Sequence, residues 1–273
     1  MATVALIRDT FREAFARKIF WGLFGLSAAM ILFFLFLLKI DLVEGGMATL
    51  SLFGRTANRI TDADYLVRRI YAGIATFLYT WGMFLSVFAS AGLIPSVLEP
   101  GRIELLVSKP VSRTHILLGR YLGNILVISC NVVFLVLGVW IILGIKSGIW
   151  SPSFLISIAT TIFIFAVMLA VVAWVGVAFE SAALATMISI ALMVISALLA
   201  QKDTMLRLLS SEWSRNLWRG LYYVLPKIYD VGRITLNAIQ DRKFDDYASV
   251  WSSALFAAIV LAGALRIFAK RDF

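Results

Sequence analysis

The chain alternates long apolar runs with short polar interruptions. A helix needs about 20 predominantly apolar residues to cross roughly 30 Å of hydrocarbon. Stretches of this length predict six membrane spans: 19–38, 70–98, 116–145, 154–179, 182–200 and 248–268. The fourth and fifth spans are almost continuous, but Glu180 lies between them. Because a carboxylate at the bilayer centre costs a few kcal/mol or more, Glu180 predicts a tight turn between two spans.

Two segments outside the predicted spans have amphipathic patterns. In residues 1–18, Val4, Ile7, Phe11, Ala14, Phe15 and Lys18 recur at helical spacing opposite charged positions. This pattern predicts an interfacial helix ahead of the first span, with a simple charged orientation signal as the alternative. Residues 201–247 predict short helices that rest on the outer leaflet or dip slightly into it, with a small soluble cap as the alternative. Residues 39–69 predict a polar outer loop, interrupted by Gly45 and Gly46.

Composition supports a polytopic, all-α membrane protein. Hydrophobic residues make up 61% of the 273, charged residues only 15%, and the mean hydropathy is +0.92. The net charge of +9 suits cytoplasmic loops that face anionic headgroups, so we expect no nucleic-acid partner. Basic residues precede the first span, which predicts a cytoplasmic N-terminus. Six spans then place the C-terminus, with Arg266, Lys270 and Arg271, on the same side.

Several function classes lack their sequence signals. No ionisable residue lies in the middle of a predicted span, which disfavours an ion-coupled carrier. The chain has no G-x-x-x-x-G-K-[ST] phosphate loop and no motif of a hydrolase or metalloprotease. Its one histidine, His115, and one cysteine, Cys130, are too few for a metal centre. We therefore expect no enzyme activity, no catalytic or metal-binding residues and no directly bound cofactor.

Two amides interrupt the third predicted span. Asn124 and Asn131 are seven residues apart, so they share one face of a helix. Buried amides in lipid commonly hold helices together, each contributing roughly 0.6 to 2 kcal/mol. The other interpretation is that they line a substrate path.

The segment 99–115 is the most polar interruption between residues 70 and 145. Ile103, Leu106 and Val107 have helical spacing, and Pro100 and Pro110 favour a helix start and stop around them. Ser112 then caps the helix that enters the third span. This short amphipathic helix would either fill a groove on a partner or lie against headgroups.

The same segment carries a family resemblance. The residues concerned are Glu99, Gly101, Arg102, Ile103, Glu104, Leu105, Leu106, Ser108, Pro110, Val111, Ser112 and Arg113, followed by "LLGRYLG". They resemble the cytoplasmic loop between spans two and three of ABC-2 type permeases. More narrowly, they resemble the branch that contains the permease of nitrous oxide reductase copper-site maturation. Arg102 stands where that pattern often has Thr, and Arg120 where it often has Lys.

The resemblance implies a permease subunit in the cytoplasmic membrane of a prokaryote, which exports a substrate as a dimer with itself or a sibling. A separate ABC ATPase subunit would hold ATP and Mg. The coupling helix in 99–115 would bind a groove of that ATPase, the turn at Glu180 would approach it, and 201–247 would be an extracytoplasmic gate segment. The alternative is a mechanotransmission subunit that passes ATPase motion to an extracytoplasmic maturation partner.

Overall fold

The computed structural model of the protein describes residues 2–16, 18–43, 47–52, 55–56, 61–92, 112–208, 210–242 and 247–270. Its helices are α1 (Ala2–Ala16), α2 (Lys18–Phe36), α3 (Ala63–Phe77), α4 (Met83–Ala91), α5 (Arg113–Ser147), α6 (Ile156–Phe179), α7 (Ala182–Leu199), α8 (Lys202–Leu208), α9 (Glu212–Val224), α10 (Ile228–Ile239) and α11 (Ala248–Lys270). A π-helical segment, Leu78–Gly82, joins α3 to α4, and a 3₁₀ turn, Pro152–Leu155, precedes α6. The predicted all-α membrane class is confirmed.

Several of the described helices are long and apolar enough to cross a membrane. Five candidate spans meet the criterion in the described part of the chain: Ala63–Ala91, Arg113–Ser147, Pro152–Phe179, Ala182–Leu199 and Ala248–Lys270. The bent pair of α1 and α2 provides a sixth candidate if it is counted as one span. The chain is therefore a multi-pass membrane protein.

The second span begins earlier than hydropathy predicts, at Ala63 rather than at residue 70. The Asp62 side chain accepts a hydrogen bond from the backbone amide of Tyr65 at 3.1 Å and caps the helix. Arg68 forms ion pairs with Asp64 and with Asp241. A hydropathy profile treats Arg68 as an unpaired charge, whereas in the structure its charge is paired with two carboxylates. Residues 93–98 of the predicted span lie outside the described residues.

A small β-sheet follows the first span. Strand β1 (Leu38–Val43) pairs antiparallel with β2 (Met47–Leu52), and β2 also pairs with β3 (Arg55–Thr56) and β4 (Thr61–Asp62). The sequence predicts a polar outer loop here, interrupted by Gly45 and Gly46, and does not predict strands. The sheet connects the end of α2 to the start of α3, so it lies at one end of the helical bundle.

Helix α6 is the centre of the bundle. It contacts α4, α5, α7, α10 and α11, and most of its side chains between Ile164 and Val177 are buried. Short connections join α6 to α5 and to α7, so α5 and α7 each run antiparallel to α6. The bundle thus has a "Ser112 end", where α5 begins and α6 ends at Phe179, and a "Ser147 end", where α5 ends and α6 begins.

Helix α10 enters the bundle from the Ser147 end. At its first residue, the hydroxyl of Tyr79 donates a hydrogen bond to the carbonyl of Ile228. Tyr79 lies about four turns into the span that begins at Ala63. A Cβ at Gly232 would approach the Tyr79 ring to 2.7 Å, so the close contact requires glycine. Helix α10 therefore packs against the second span; that it rests on the outer leaflet or dips slightly into it stays a prediction.

Candidate functional site at the Ser112 end

Most of the predicted coupling segment lies outside the described residues. This applies to Glu99, Gly101, Arg102, Ile103, Glu104, Leu105, Leu106, Ser108, Pro110 and Val111. The described part of the predicted site consists of Ser112, Arg113 and Glu180. Ser112 and Glu180 lie at the same end of the bundle, the first at the start of α5 and the second just after α6.

Ser112 is the N-cap residue of α5, with extended backbone angles of φ −66° and ψ 147°. Its carbonyl accepts hydrogen bonds from the amides of His115 and Ile116, at 3.0 and 3.2 Å. Its hydroxyl contacts Thr114 Oγ1 at 3.0 Å and also His115 Nδ1, rather than a backbone amide. The segment that precedes residue 112 is therefore joined directly to the first turn of α5, which begins at Arg113.

Glu180 and Ser181 form the connection between α6 and α7. Glu180 has left-handed backbone angles, φ 52° and ψ 23°, and its side chain is exposed. Ser181 accepts a hydrogen bond from the amide of Leu184 at 3.2 Å and caps α7. A left-handed conformation costs a non-glycine residue roughly 1–2 kcal/mol. Glu180 therefore makes this turn less stable than a glycine at the same position would.

Arg120 is a buried charge two turns inside α5. Its side chain is only 1% exposed. Nη2 donates to Asp9 Oδ2 at 2.8 Å, and Nη1 donates to Glu13 on the same face of α1. A buried guanidinium is stable only where counter-charges and hydrogen bonds replace water. Helix α1 provides both, so the ion pairs attach α1 to α5.

The same face of α1 packs closely on α5. A Cβ at Gly123 would lie 2.6 Å from the side chain of Thr10, so glycine allows the two helices to approach. Thr10 and Ala14 are buried, whereas Phe15, in the predicted apolar stripe, is 46% exposed. The face of α1 that carries Asp9 and Glu13 is, in the sequence pattern, the charged face opposite the apolar stripe. It lies against α5, because Arg120 supplies the complementary charge.

Further contacts attach α2 to α5 toward the Ser147 end. Ser27 Oγ donates to Asn131 Oδ1 at 2.9 Å. The Phe24 and Phe134 rings stack with centroids 4.6 Å apart. Near the end of α2, Lys146 Nζ donates to the carbonyls of three residues, at distances of 2.5–2.9 Å: Phe34, Leu35 and Leu38. Helices α1, α2 and α5 thus form one packed unit along most of the bundle.

A family model described as "ABC-2 family transporter protein" matches residues 4–273. The match covers nearly the whole chain. The chain belongs to the ABC-2 family of transporter proteins. No individual curated protein matches it significantly. As an ABC-2 protein it is a membrane permease component of an ABC transporter, and the family implies partnership with ABC ATPase subunits.

The two amides of the third span of this ABC-2 permease have different surroundings. Asn131 faces α2 through its bond to Ser27. Asn124 is fully buried, and its Nδ2 donates to the carbonyl of Arg120 at 3.1 Å. Within the described residues, Asn124 Oδ1 and Asn131 Nδ2 have no hydrogen-bond partner. Asn124 lies four residues after Arg120 and seven before Asn131, so both amides share the face of α5 that carries Arg120.

Sequence reasoning identified Arg120 only as part of a motif and did not pair it with Asp9 and Glu13. Two signals were present. The acids are four residues apart, so they share a face of α1, and an arginine two turns inside an apolar helix requires a counter-charge. Neither signal says that α1 lies against α5.

Within the described ranges, no group of three or more His, Cys, Asp or Glu side chains is placed to hold a metal ion.

Proposed function

We propose that this permease couples ATP hydrolysis by a separate ATPase subunit, bound at the Ser112 end, to export across the cytoplasmic membrane. The observation that carries the proposal is the attachment of α1 and α2 to α5 through Arg120, Asn131 and Lys146. The coupling motif in 99–111 leads directly into α5 at Ser112. A push on that segment therefore acts on a packed three-helix unit rather than on a single helix.

The mechanical step is a rigid-body displacement. Closure of the ATPase subunits around ATP and Mg would move the coupling helix, and α5 would carry α1 and α2 with it. Packed interfaces switch between discrete arrangements rather than deforming continuously, so a small shift at Ser112 becomes a change of access. The Glu180 turn, at the same end, would be the second contact with the ATPase. ATP hydrolysis belongs to that partner and not to this chain.

Orientation follows from charge. Arg8, Arg12 and Lys18 lie in or beside α1, which packs at the Ser112 end. Lys270, the last residue of α11, lies at the same end. Short basic segments next to spans remain in the cytoplasm. We therefore assign the Ser112 end to the cytoplasm and the Ser147 end, with α8–α10, to the outside.

The export path would lie where two permease copies meet. A groove of about 320 Å³ opens between α4, α7 and the start of α10 and is lined almost entirely by apolar groups, including Trp81, Phe84, Met193 and Val194. A dimer of this chain with itself or a sibling would cover the groove and make it a shared passage. Asn131 accepts a hydrogen bond from Ser27 of α2, and Asn124 lies one turn after Arg120 on the same face of α5, so we assign both to helix packing.

The mechanotransmission alternative, and with it the narrower copper-maturation branch, relies on charges of the outer segment as a docking surface. Of these charges, Asp241 pairs with Arg68 inside this chain, and Arg242 is exposed. Lys243, Asp245 and Asp246 lie outside the described residues. We therefore propose export as the function, with mechanotransmission as the alternative.

The test is co-purification of the ATPase. Glu104→Lys combined with Leu106→Asp places opposite charge and a desolvation cost on the predicted coupling helix, so the permease should reach the membrane without its ATPase. Leu217→Asp with Arg219→Glu is the matched control, because it makes the same kinds of change on exposed positions of α9. Undiminished co-purification of the first variant contradicts the proposal, as does equal loss in both.

A further inference from the structure

The second span is not a regular α-helix throughout, because the π-helical segment Leu78–Gly82 separates α3 from α4. At its end, the amide of Met83 donates to the carbonyl of Leu78, five residues earlier, which is the π-helical spacing. π-Helical turns are rare inside α-helices and are frequent at functional sites. The segment is therefore a place at which to look for a change in the conformation of the span.

The π turn aligns the buried faces of α3 and α4. Buried positions three or four residues apart run along the span before the turn and after it: Val67, Tyr71, Ile74 and Leu78, then Met83, Val87 and Ser90. Across the turn, the step from Leu78 to Met83 is five residues. In an unbroken α-helix the additional residue would rotate α4 by about 100° relative to α3. A change of the π turn to an α turn therefore rotates α4 about its own axis.

Helix α3 is attached to α10 at both ends of α10. Tyr79, which directly follows the last turn of α3, donates its hydroxyl hydrogen to the carbonyl of Ile228. Its ring lies against Gly232, where a Cβ would approach it to 2.7 Å. At the other end of α10, Arg68 Nη1 donates to the carbonyl of Ile239 at 3.4 Å. Helices α3 and α10 thus form one packed unit, the α3–α10 unit.

Helix α4 lies on the other side of the π turn and has different neighbours. It packs against α6 and α7. It ends at Ala91, shortly before the predicted coupling segment 99–115. A displacement of that segment would therefore reach α4 before it reaches the α3–α10 unit, and the π turn lies between the two.

The π turn also lies beside the apolar groove of about 320 Å³. Thr80 and Trp81 of the π turn and Phe84 of α4 line the groove, and the ring centroids of Trp81 and Phe84 are 6.3 Å apart. Ile228 and Tyr229, at the start of α10, line it as well. A rotation of α4 relative to α10 therefore changes the shape of the groove.

From this geometry we propose that Leu78–Gly82 is a hinge at which α4 rotates relative to the α3–α10 unit, and that the rotation opens and closes the apolar groove in each transport cycle. The inference rests on the proposed function, in which the ATPase displaces the coupling segment that follows α4. Conversion between a π turn and an α turn exchanges a few backbone hydrogen bonds, so the span rotates without unfolding. Tyr79 keeps α10 with α3 while the groove residues of α4 turn.

The first test deletes one residue from the second span of the purified full-length chain. Deletion of Thr80, an exposed residue of the π turn, shortens the step from Leu78 to Met83 and leaves an unbroken α-helix with aligned buried faces. The matched control is deletion of Gly73, an exposed residue of α3, which turns the buried faces out of alignment. The midpoint of thermal unfolding should equal or exceed that of the wild type without Thr80 and should fall without Gly73. Equal falls in both variants overturn the proposal.

The second test follows the rotation in the complex with the ATPase, by distances between pairs of spin labels in a chain without its native cysteine. Phe88→Cys on α4 and Met187→Cys on α7 carry the labels that report on α4, and both positions are exposed. Tyr65→Cys on α3 and Gln240→Cys, directly after α10, carry the reference pair, also at exposed positions. Each pair is measured without nucleotide and with ATP and vanadate.

We expect the distance between the labels at 88 and 187 to differ between the two nucleotide conditions, and the reference distance to stay constant. Deletion of Thr80 should abolish the difference while the ATPase still co-purifies. A difference of the same size after the deletion, or none in the wild-type complex, overturns the hinge. If the ATPase does not bind the wild type, the proposed coupling fails instead. The deletion comparison needs no ATPase, so it decides on the hinge in that case too.

Discussion

The Nη2 atom of Arg120 lies 2.8 Å from the Oδ2 atom of Asp9, although 111 residues separate them in the chain. Glu13 binds the other terminal nitrogen and is itself mostly buried, with 14% of its side chain exposed. The two acids fix the N-terminal helix to the start of α5, which follows the predicted coupling segment. The predicted interfacial helix is thereby attached to the bundle.

Arg120→Met should lower the free energy of unfolding by about 3 kcal/mol, because Glu13 would keep a buried charge without its partner. Adding Glu13→Gln to Arg120→Met should recover part of that loss. Denaturant unfolding of the four proteins in this cycle, in mixed micelles, provides the measurement. Effects that add within about 0.5 kcal/mol would show that the two side chains do not interact.

Asp9→Asn should lower the free energy of unfolding less than Glu13→Gln does, since Asp9 is 54% exposed.

Gly123→Ala should weaken the contact between α1 and α5 by about 1–3 kcal/mol, because the new methyl group would overlap Thr10. Thr10→Ala removes two of the three nearest atoms and should restore part of the loss. Gly73→Ala is the control, since a Cβ there meets nothing within 4 Å and alanine favours a helix. The measurement is the midpoint of thermal unfolding. Equal midpoints for the Gly123→Ala and Gly73→Ala variants would contradict the close approach of α1 and α5.

Glu180→Gly separates backbone strain from side-chain contact. Glycine adopts the left-handed angles without penalty, so the variant should be as stable as the wild type or up to about 1 kcal/mol more stable. If the carboxylate contacts the ATPase, ATP hydrolysis by the assembled complex should nevertheless fall. Glu180→Ala, which keeps the strain and loses the carboxylate, should show the same fall with lower stability. Full ATPase activity in both variants would remove Glu180 from the interface.

Asn131→Leu and Ser27→Ala should each lower stability by roughly 0.6 kcal/mol, since they delete a single hydrogen bond between helices. Transport should change little, because both residues face another helix of the same chain. A large loss of transport at unchanged stability in Asn131→Leu would instead place this residue on the substrate path. Unfolding and transport are therefore measured on the same preparations.

Hydropathy recovers the span-length helices because each is a long apolar run bounded by polar residues. It misplaces the start of the second span, since pairing of Arg68 with Asp64 and Asp241 cannot be read from a profile. It gives no sign of the β1–β2 hairpin that flanks Gly45 and Gly46. The pair of Arg68 and Asp241 joins residues 173 apart, and local pattern does not reveal which distant segments meet.

The same limit applies to the functional residues. The candidate coupling motif is contiguous, so it can be proposed from the sequence, and it stays a prediction. The ion pairs of Arg120 bring together distant segments and needed the fold. A charged residue inside an apolar helix nevertheless marks a place where a partner charge must be sought.

Site-specific photo-cross-linking tests the central claim, that a separate ATPase binds the Ser112 end. Cys130 is the chain's one cysteine, so Cys130→Ser provides a background for single cysteines that carry benzophenone maleimide. Membranes that contain the ATPase subunit should give a permease–ATPase adduct from Glu180→Cys and Arg102→Cys, in a yield that changes with ATP. Trp213→Cys, an exposed position on α9, should give none. An adduct from Trp213→Cys, or none from either position at the Ser112 end, would contradict the account.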